Sequence, residues 1–143
     1  MDNTGLAPAR EAAIRTSFKR QGMMRTMEAR IDRIAPGRVV LSMPVTSAID
    51  QQHGFAHAGA TFALGDSAAG YAALSLMEPG TEVLTVEMKV NLIAPAAGTR
   101  LIAEGEVVKP GRRLFVVRAT VRSEAADGTL RDVALLQGTM IPA

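Results

Sequence analysis

The sequence predicts an α+β domain in which an antiparallel sheet curls around one long central helix. Three observations carry this. Residues 57–77, HAGATFALGDSAAGYAALSLM, contain no lysine or arginine and place apolar residues on every side, so they read as a helix buried all round. At about 1.5 Å per residue that helix is roughly 30 Å long. On both sides of it, segments with period-two alternation are separated by Pro-Gly and Asp-Gly pairs, the signature of strands joined by tight turns. The strand segments that follow it have no crossover helices between them, which argues against a parallel sheet.

Taken in order, residues 8–21 form a short amphipathic helix, with Ile14 and Phe18 one turn apart, Glu11 spaced to pair with Arg15, and Gly22 as a stop. Then the period changes. Met27, Ala29 and Ile31 alternate with polar and charged neighbours, and beyond Pro36-Gly37 so do Val39, Leu41, Met43 and Val45, giving two strands. Residues 46–56 are a loop carrying Gln51, Gln52, His53 and Gly54, and the central helix follows, ended by Pro79-Gly80. Val86, Met88, Val90 and Leu92 face one way while Thr85, Glu87, Lys89 and Asn91 face the other, a strand with one wet face. Turns at 95–98, at 109–112 and at Asp127-Gly128 then separate strands over 100–108, 114–122 and 130–140. No repeat, linker or low-complexity segment appears, so residues 1–143 are one domain with 1–22 as an N-terminal helical segment.

Composition narrows the chemistry. A chain of this length buries about 70% of its unfolded surface, enough for a real core. The absence of cysteine excludes disulfides, thiolate metal sites and a cysteine nucleophile. A net charge of +2 with 3% aromatics gives neither the basic stripe nor the stacking platform of a nucleic-acid binder. The first residues lack the apolar run of an export signal, and the central helix is too rich in alanine, glycine and serine to span a membrane. A soluble, cytoplasmic protein is expected.

Asp66 is the one certain charge in the central helix. At about 100° per residue, Gly59, Ala63, Asp66, Gly70, Ala73 and Met77 share a narrow stripe, mostly of small residues, where a ligand or a second backbone has room to approach. Gly65 and Gly70 each cost about 1 kcal/mol relative to alanine inside a helix and so need a reason. A buried carboxylate is usually neutralised by a cation, yet none lies three or four residues away. Pairing with a distant arginine is the structural alternative; a functional carboxylate is the favoured reading.

The segment Gln51-Gln52-His53-Gly54-Phe55-Ala56-His57-Ala58-Gly59, with aspartate nine residues after His57, resembles the N-x-x-G-x-x-H-G-G…D signature of hotdog-fold acyl-CoA thioesterases of the phenylacetate-pathway type. The resemblance extends to TVEMKVNLIAPAAG at 85–98 and to the GRR and DGTL turns. Two positions depart from the pattern. Gln51 stands where the family has asparagine, lengthening the amide arm by one methylene, and Ala58 replaces the first glycine after the histidine while keeping its backbone N–H.

The resemblance implies hydrolysis of an acyl-CoA to the free acid and CoA, with coenzyme A as part of the substrate and no separate cofactor. A thiolate leaves without much help, so one carboxylate suffices: Asp66 as general base or nucleophile. Gln51 and the N–H groups of Ala58 and Gly59 at the helix start are the candidates for polarising the carbonyl, while His57 either holds the loop by hydrogen bonds to its neighbours or, as the family pattern favours, orients the substrate. Nine helical residues separate His57 from Asp66, roughly 13 Å along the axis at about 1.5 Å each, so one helix cannot bring both to a single carbonyl carbon. Each site is therefore expected to combine Asp66 of one chain with Gln51, His57 and Ala58 of another, in the homodimer or homotetramer that the resemblance also implies. Thr85 matches a family position that helps place the attacking water, although a threonine opening a strand is also ordinary. Arg112 and Arg113 at their turn are candidates for the CoA phosphates. His53 and His57 lack a third partner for a metal, and Ser67 lacks the glycine and the downstream histidine of a serine hydrolase. A hotdog dehydratase or hydratase, or a non-catalytic acyl-CoA-binding protein, are the alternatives.

Overall fold

The computed structural model describes residues 5–143. Three helices, α1 (Pro8–Lys19), α2 (Gly22–Thr26) and α3 (Ala58–Leu74), accompany six strands: β1 (Arg30–Ala35), β2 (Arg38–Pro44), β3 (Val83–Leu92), β4 (Arg100–Lys109), β5 (Phe115–Glu124) and β6 (Leu130–Pro142). The strands form a single sheet in the order β1-β2-β4-β5-β6-β3, and every neighbouring pair is antiparallel. Helix α3 lies across one face, touching β2, β3, β4, β5 and β6. Leu41, Met43, Leu101, Val117, Val121 and Met140 of the strands are buried, as are Leu64, Ala68 and Ala72 of the helix. The α+β class and the central helix match the expectation from sequence.

Glycines set how closely helix and sheet approach. A Cβ at Gly105 of β4 would fall inside the backbone of Ala68 and Ala69, so the helix rests directly on that strand. At Gly65 a Cβ would come within 2.9 Å of Leu136 and 3.2 Å of Val121, which explains that helical glycine by packing against the sheet. Gly70 is different: its nearest neighbours would be Met140 at 3.8 Å and Val83 at 4.0 Å, an ordinary contact. The small-residue stripe is thus open only in its first half. Gly70, Ala73 and Met77 are buried, whereas Phe62, Ala63, Asp66 and Ser67 are only partly covered, so α3 is not buried all round as its composition suggested.

The N-terminal helical segment runs further than residue 22. Gly22 does not stop a helix but opens α2, which carries Met24 into the core, and Met27 is buried just beyond it. These methionines are three residues apart on one helical face, so the alternation of Met27, Ala29 and Ile31 did not mark a strand there, and the sheet begins at Arg30. Glu28, at φ 55°, reverses the chain between the two. Helix α1 buries Ile14 and Phe18 as expected, and Glu11 pairs with Arg15 at 2.8 Å. It is tied to α3 through Tyr71, whose hydroxyl accepts from Gln21 Nε2 at 2.7 Å and lies 3.1 Å from Ser17 Oγ, with the Phe18 ring edge-on at 5.9 Å. Helix α3 stops at Leu74, ahead of Pro79-Gly80. There Ser75 Oγ donates to the Ala72 carbonyl and accepts from Gly37 N–H, both at 2.7 Å, tying the helix end to the β1–β2 turn.

Candidate active site

The loop before α3 folds back on itself. Gln51 N–H donates to the Phe55 carbonyl at 2.8 Å, Gly54 N–H to the Gln51 carbonyl at 3.0 Å, and His57 N–H to the Ile49 carbonyl at 2.8 Å. Gly54 takes φ 81°, which glycine adopts without strain. The Ala56 N–H reaches the Ala96 carbonyl at 3.0 Å and fastens the loop to the segment after β3. Gln51 Oε1 accepts from His53 N–H, so its carboxamide is oriented by the loop and its NH2 group remains as a donor. His53 itself is exposed.

This loop delivers His57 as the N-cap of α3, with φ −61° and ψ 140°. Its Nδ1 accepts from Gly59 N–H at 2.8 Å, which places the imidazole proton on Nε2. Gly59 N–H is therefore not free for a ligand, contrary to the sequence expectation, because the preceding side chain caps it. The His57 carbonyl takes the N–H groups of Ala60 at 2.9 Å and Thr61 at 3.1 Å, which leaves the Ala58 N–H as the amide of the first turn with no partner among the described residues. Gly59 earns its place sterically: a Cβ there would stand 3.0 Å from His57 Nδ1.

Two clefts meet at His57. The larger, about 690 Å³, is lined by Gln51, His57, Ala58 and Thr61 together with Leu92 and Val133. The smaller, about 310 Å³ and mainly apolar, lies between α2 and the start of α3 against Met23, Met27, Ile49 and Ala60. Gln51, His57 and Ala58 thus line one cleft. Thr61 joins them without having been singled out; a lone hydroxyl in the run of alanine and glycine that opens the helix was the available signal.

Asp66 lies on neither cleft. It is half-buried on α3 and accepts a hydrogen bond from Thr85 Oγ1 at 2.8 Å. Burial raises its pKa above the ordinary carboxylate value, and the Thr85 bond offsets part of that rise. No ion pair among the described residues includes Asp66, so the distant arginine is not there. Thr85 reaches it because β3 is bulged. Pairing with β6 shifts between Thr85 and Glu87, which leaves Val86 unmatched, exposed and off the helix-facing side. Val83 and Thr85 face α3 in one phase, Met88 and Val90 in the other. The uninterrupted alternation read from sequence, with Val86 in and Thr85 out, is corrected by that extra residue.

Arg112 and Arg113 are exposed at the β4–β5 turn. Arg112 borders a small cleft of about 190 Å³ with Leu76, Met77 and Glu78, beyond the C-terminal end of α3. His57 caps the opposite end, so one subunit does not bring these arginines to the Gln51–His57 cleft. Among the described residues no cluster of three or more His, Cys, Asp or Glu could hold a metal, and no helix is long and apolar enough to cross a membrane.

Residues 53–128, over half of the chain, match the thioesterase superfamily. The solved structure of a thioesterase family protein from Silicibacter pomeroyi is 50% identical, with a TM-score of 0.90 over 93% of this chain and 97% of that one. The E. coli PaaI protein from the phenylacetic acid degradation operon is 21% identical and shares the fold, with a TM-score of 0.83 over 97% of this chain and 96% of that one. A 1,4-dihydroxy-2-naphthoyl-CoA hydrolase from Listeria monocytogenes is 25% identical over 103 residues, 72% of this chain and 84% of that protein. The capped helix start that follows a folded-back loop, the unpaired carboxylate nine residues on and these matches together place the chain in the thioesterase superfamily, as a hotdog-fold thioester hydrolase.

Proposed function

We propose that the chain hydrolyses acyl-CoA thioesters in sites shared between two subunits, with Asp66 as general base. The observation that carries this is the state of Asp66: half-buried, free of any cation among the described residues, raised in pKa, and held at one oxygen by Thr85. A carboxylate so placed is a stronger base than one in water, and the Thr85 bond leaves its other oxygen for a water molecule. Asp66 removes a proton from that water as its oxygen bonds to the thioester carbon. The Ala58 N–H, at the positive end of α3, and the Gln51 NH2 group stabilise the negative charge that develops on the carbonyl oxygen. When the C–S bond breaks, the electron pair leaves with sulfur, and the proton on Asp66 is returned to that thiolate. The smaller apolar cleft beside His57 takes the acyl group, and Arg112 and Arg113, which one subunit does not bring to that cleft, meet the CoA phosphates from the second subunit.

The separation of His57 and Asp66 along one helix supports sharing, and the edge of the sheet supplies the surface for it. Among the described residues strand β3 has a neighbour on one side only, and its Leu84 and Val86 are 56% and 55% exposed. Pairing two such edges about a two-fold axis runs the helices antiparallel and sets Asp66 of one subunit against the helix start of the other. The assay is thiol release from a panel of acyl-CoAs, wild type against Asp66→Asn. No release by the wild type, or equal release by both, removes this reading of the site. Sharing has its own test. His57→Ala and Asp66→Asn, each nearly inactive, regain about one quarter of wild-type activity when refolded together, since half the dimers are mixed and each holds one intact site. Absence of recovery, or an active monomer in sedimentation, overturns it.

A further inference from the structure

The side chain of Thr61 is 1% exposed, and its hydroxyl is shut off from solvent with no hydrogen-bond partner among the described residues. A threonine inside a helix ordinarily returns its hydroxyl to the carbonyl four residues back. Here that carbonyl is His57's, and it already accepts two N–H groups, from Ala60 and from Thr61 itself. Both lone pairs are taken. An unsatisfied hydroxyl in such a place opposes folding, and valine would fill the same volume without that cost. Yet Thr61 lines the large cleft with Gln51, His57 and Ala58. Helical side chains lean toward the N-terminus, so this one leans back toward the level of Ala58.

We infer that Thr61 is a substrate-contacting residue, whose hydroxyl, covered at the cleft wall, is uncovered as the thioester seats and then donates to one of its carbonyl oxygens. The inference rests on the hydrolase reading above. Two carbonyl classes in an acyl-CoA fit: that of the thioester itself and those of the amides in the pantetheine arm. They differ kinetically, because a bond to the thioester oxygen strengthens as charge develops and acts on kcat, whereas a bond to an amide acts on KM.

The test is Thr61→Val beside Thr61→Ser, with thermal unfolding and steady-state hydrolysis of one acyl-CoA measured on the same preparations. Thr61→Val melts at or above the wild-type temperature while its kcat/KM falls about tenfold, the equivalent of about 1.4 kcal/mol for one hydrogen bond. Thr61→Ser, which keeps the hydroxyl, stays near wild type. A fall in kcat assigns the thioester oxygen; a rise in KM assigns the pantetheine arm. Wild-type kcat/KM in Thr61→Val overturns the inference, as does a loss of activity that Thr61→Ser fails to restore or that comes with a lowered melting temperature. An inactive wild type would instead remove the hydrolase reading itself.

Discussion

Gly59→Ala sets two effects on stability against each other and isolates a third on catalysis. A Cβ at residue 59 would stand 3.0 Å from His57 Nδ1 and 3.4 Å from Cε1. Ordinary contact needs about 3.5 Å, so the ring must retreat by about 0.5 Å or turn away from the Gly59 N–H it now accepts at 2.8 Å. Losing that cap costs about 1 kcal/mol, while replacing glycine by alanine in a helix returns up to about 1 kcal/mol. The two nearly cancel, and unfolding in urea should place the variant within about 1 kcal/mol of wild type. Catalysis has no such compensation. A displacement of 1 Å at a reacting centre costs about a hundredfold, so half of that predicts a loss of about tenfold in kcat/KM for thiol release. An alanine variant of unchanged stability and unchanged kcat/KM would refute the account of His57 as a positioned cap.

Asp66→Asn should lower kcat by about 10²- to 10⁴-fold, the usual loss when a general base is removed, in the same thiol-release assay. Its stability should move the other way. The folded carboxyl binds its proton more tightly than the unfolded one, so the cost of its charge is absent below the ordinary value of 3.8, grows as pH rises through the window up to the raised value, and is constant above it. Melting curves should therefore show the asparagine variant more stable than wild type at neutral pH, with the gap closing in acid. The wild-type rate should have an acid limb centred above the ordinary aspartate value. The two central glycines of α3 should respond oppositely to alanine: Gly70→Ala, with room at 3.8 Å, should gain up to about 1 kcal/mol. Gly65→Ala, driven into Leu136 at 2.9 Å, should lose up to about 2 kcal/mol once its helical gain is subtracted from the overpacking cost, as chemical denaturation would show.

The elements that sequence made legible are those whose pattern and burial agree. Strands β4, β5 and β6 and the Ile14–Phe18 face of α1 are of that kind, and the central helix is so along its sheet-facing side. Met27 misled because it belongs to two series at once, 24 and 27 at three-residue spacing and 27, 29 and 31 at two-residue spacing, and packing of α2 against the core chose the first. The β3 bulge was invisible because one surplus residue changes the facing of a strand without changing its composition. At the site, Asp66 stood out as a charge without a local partner, and the structure supplies a threonine where a cation would have neutralised it. Capping of Gly59 by His57 and the saturation of the His57 carbonyl depend on side-chain direction and on counting acceptors. Neither can be read from spacing alone.

The bare contact of α3 with β4 at Gly105 also constrains what descendants of this protein can become. Because backbone meets backbone there, no exchange of side chains can slide or lift the middle of the rod, and its pose is effectively frozen. On the proposed reading, new preferences are then written at its N-terminal tip and in the short helix that flanks it, where substitutions alter a cleft wall without unseating the frame. The lineage can vary its menu at the margins while the chassis stays constant.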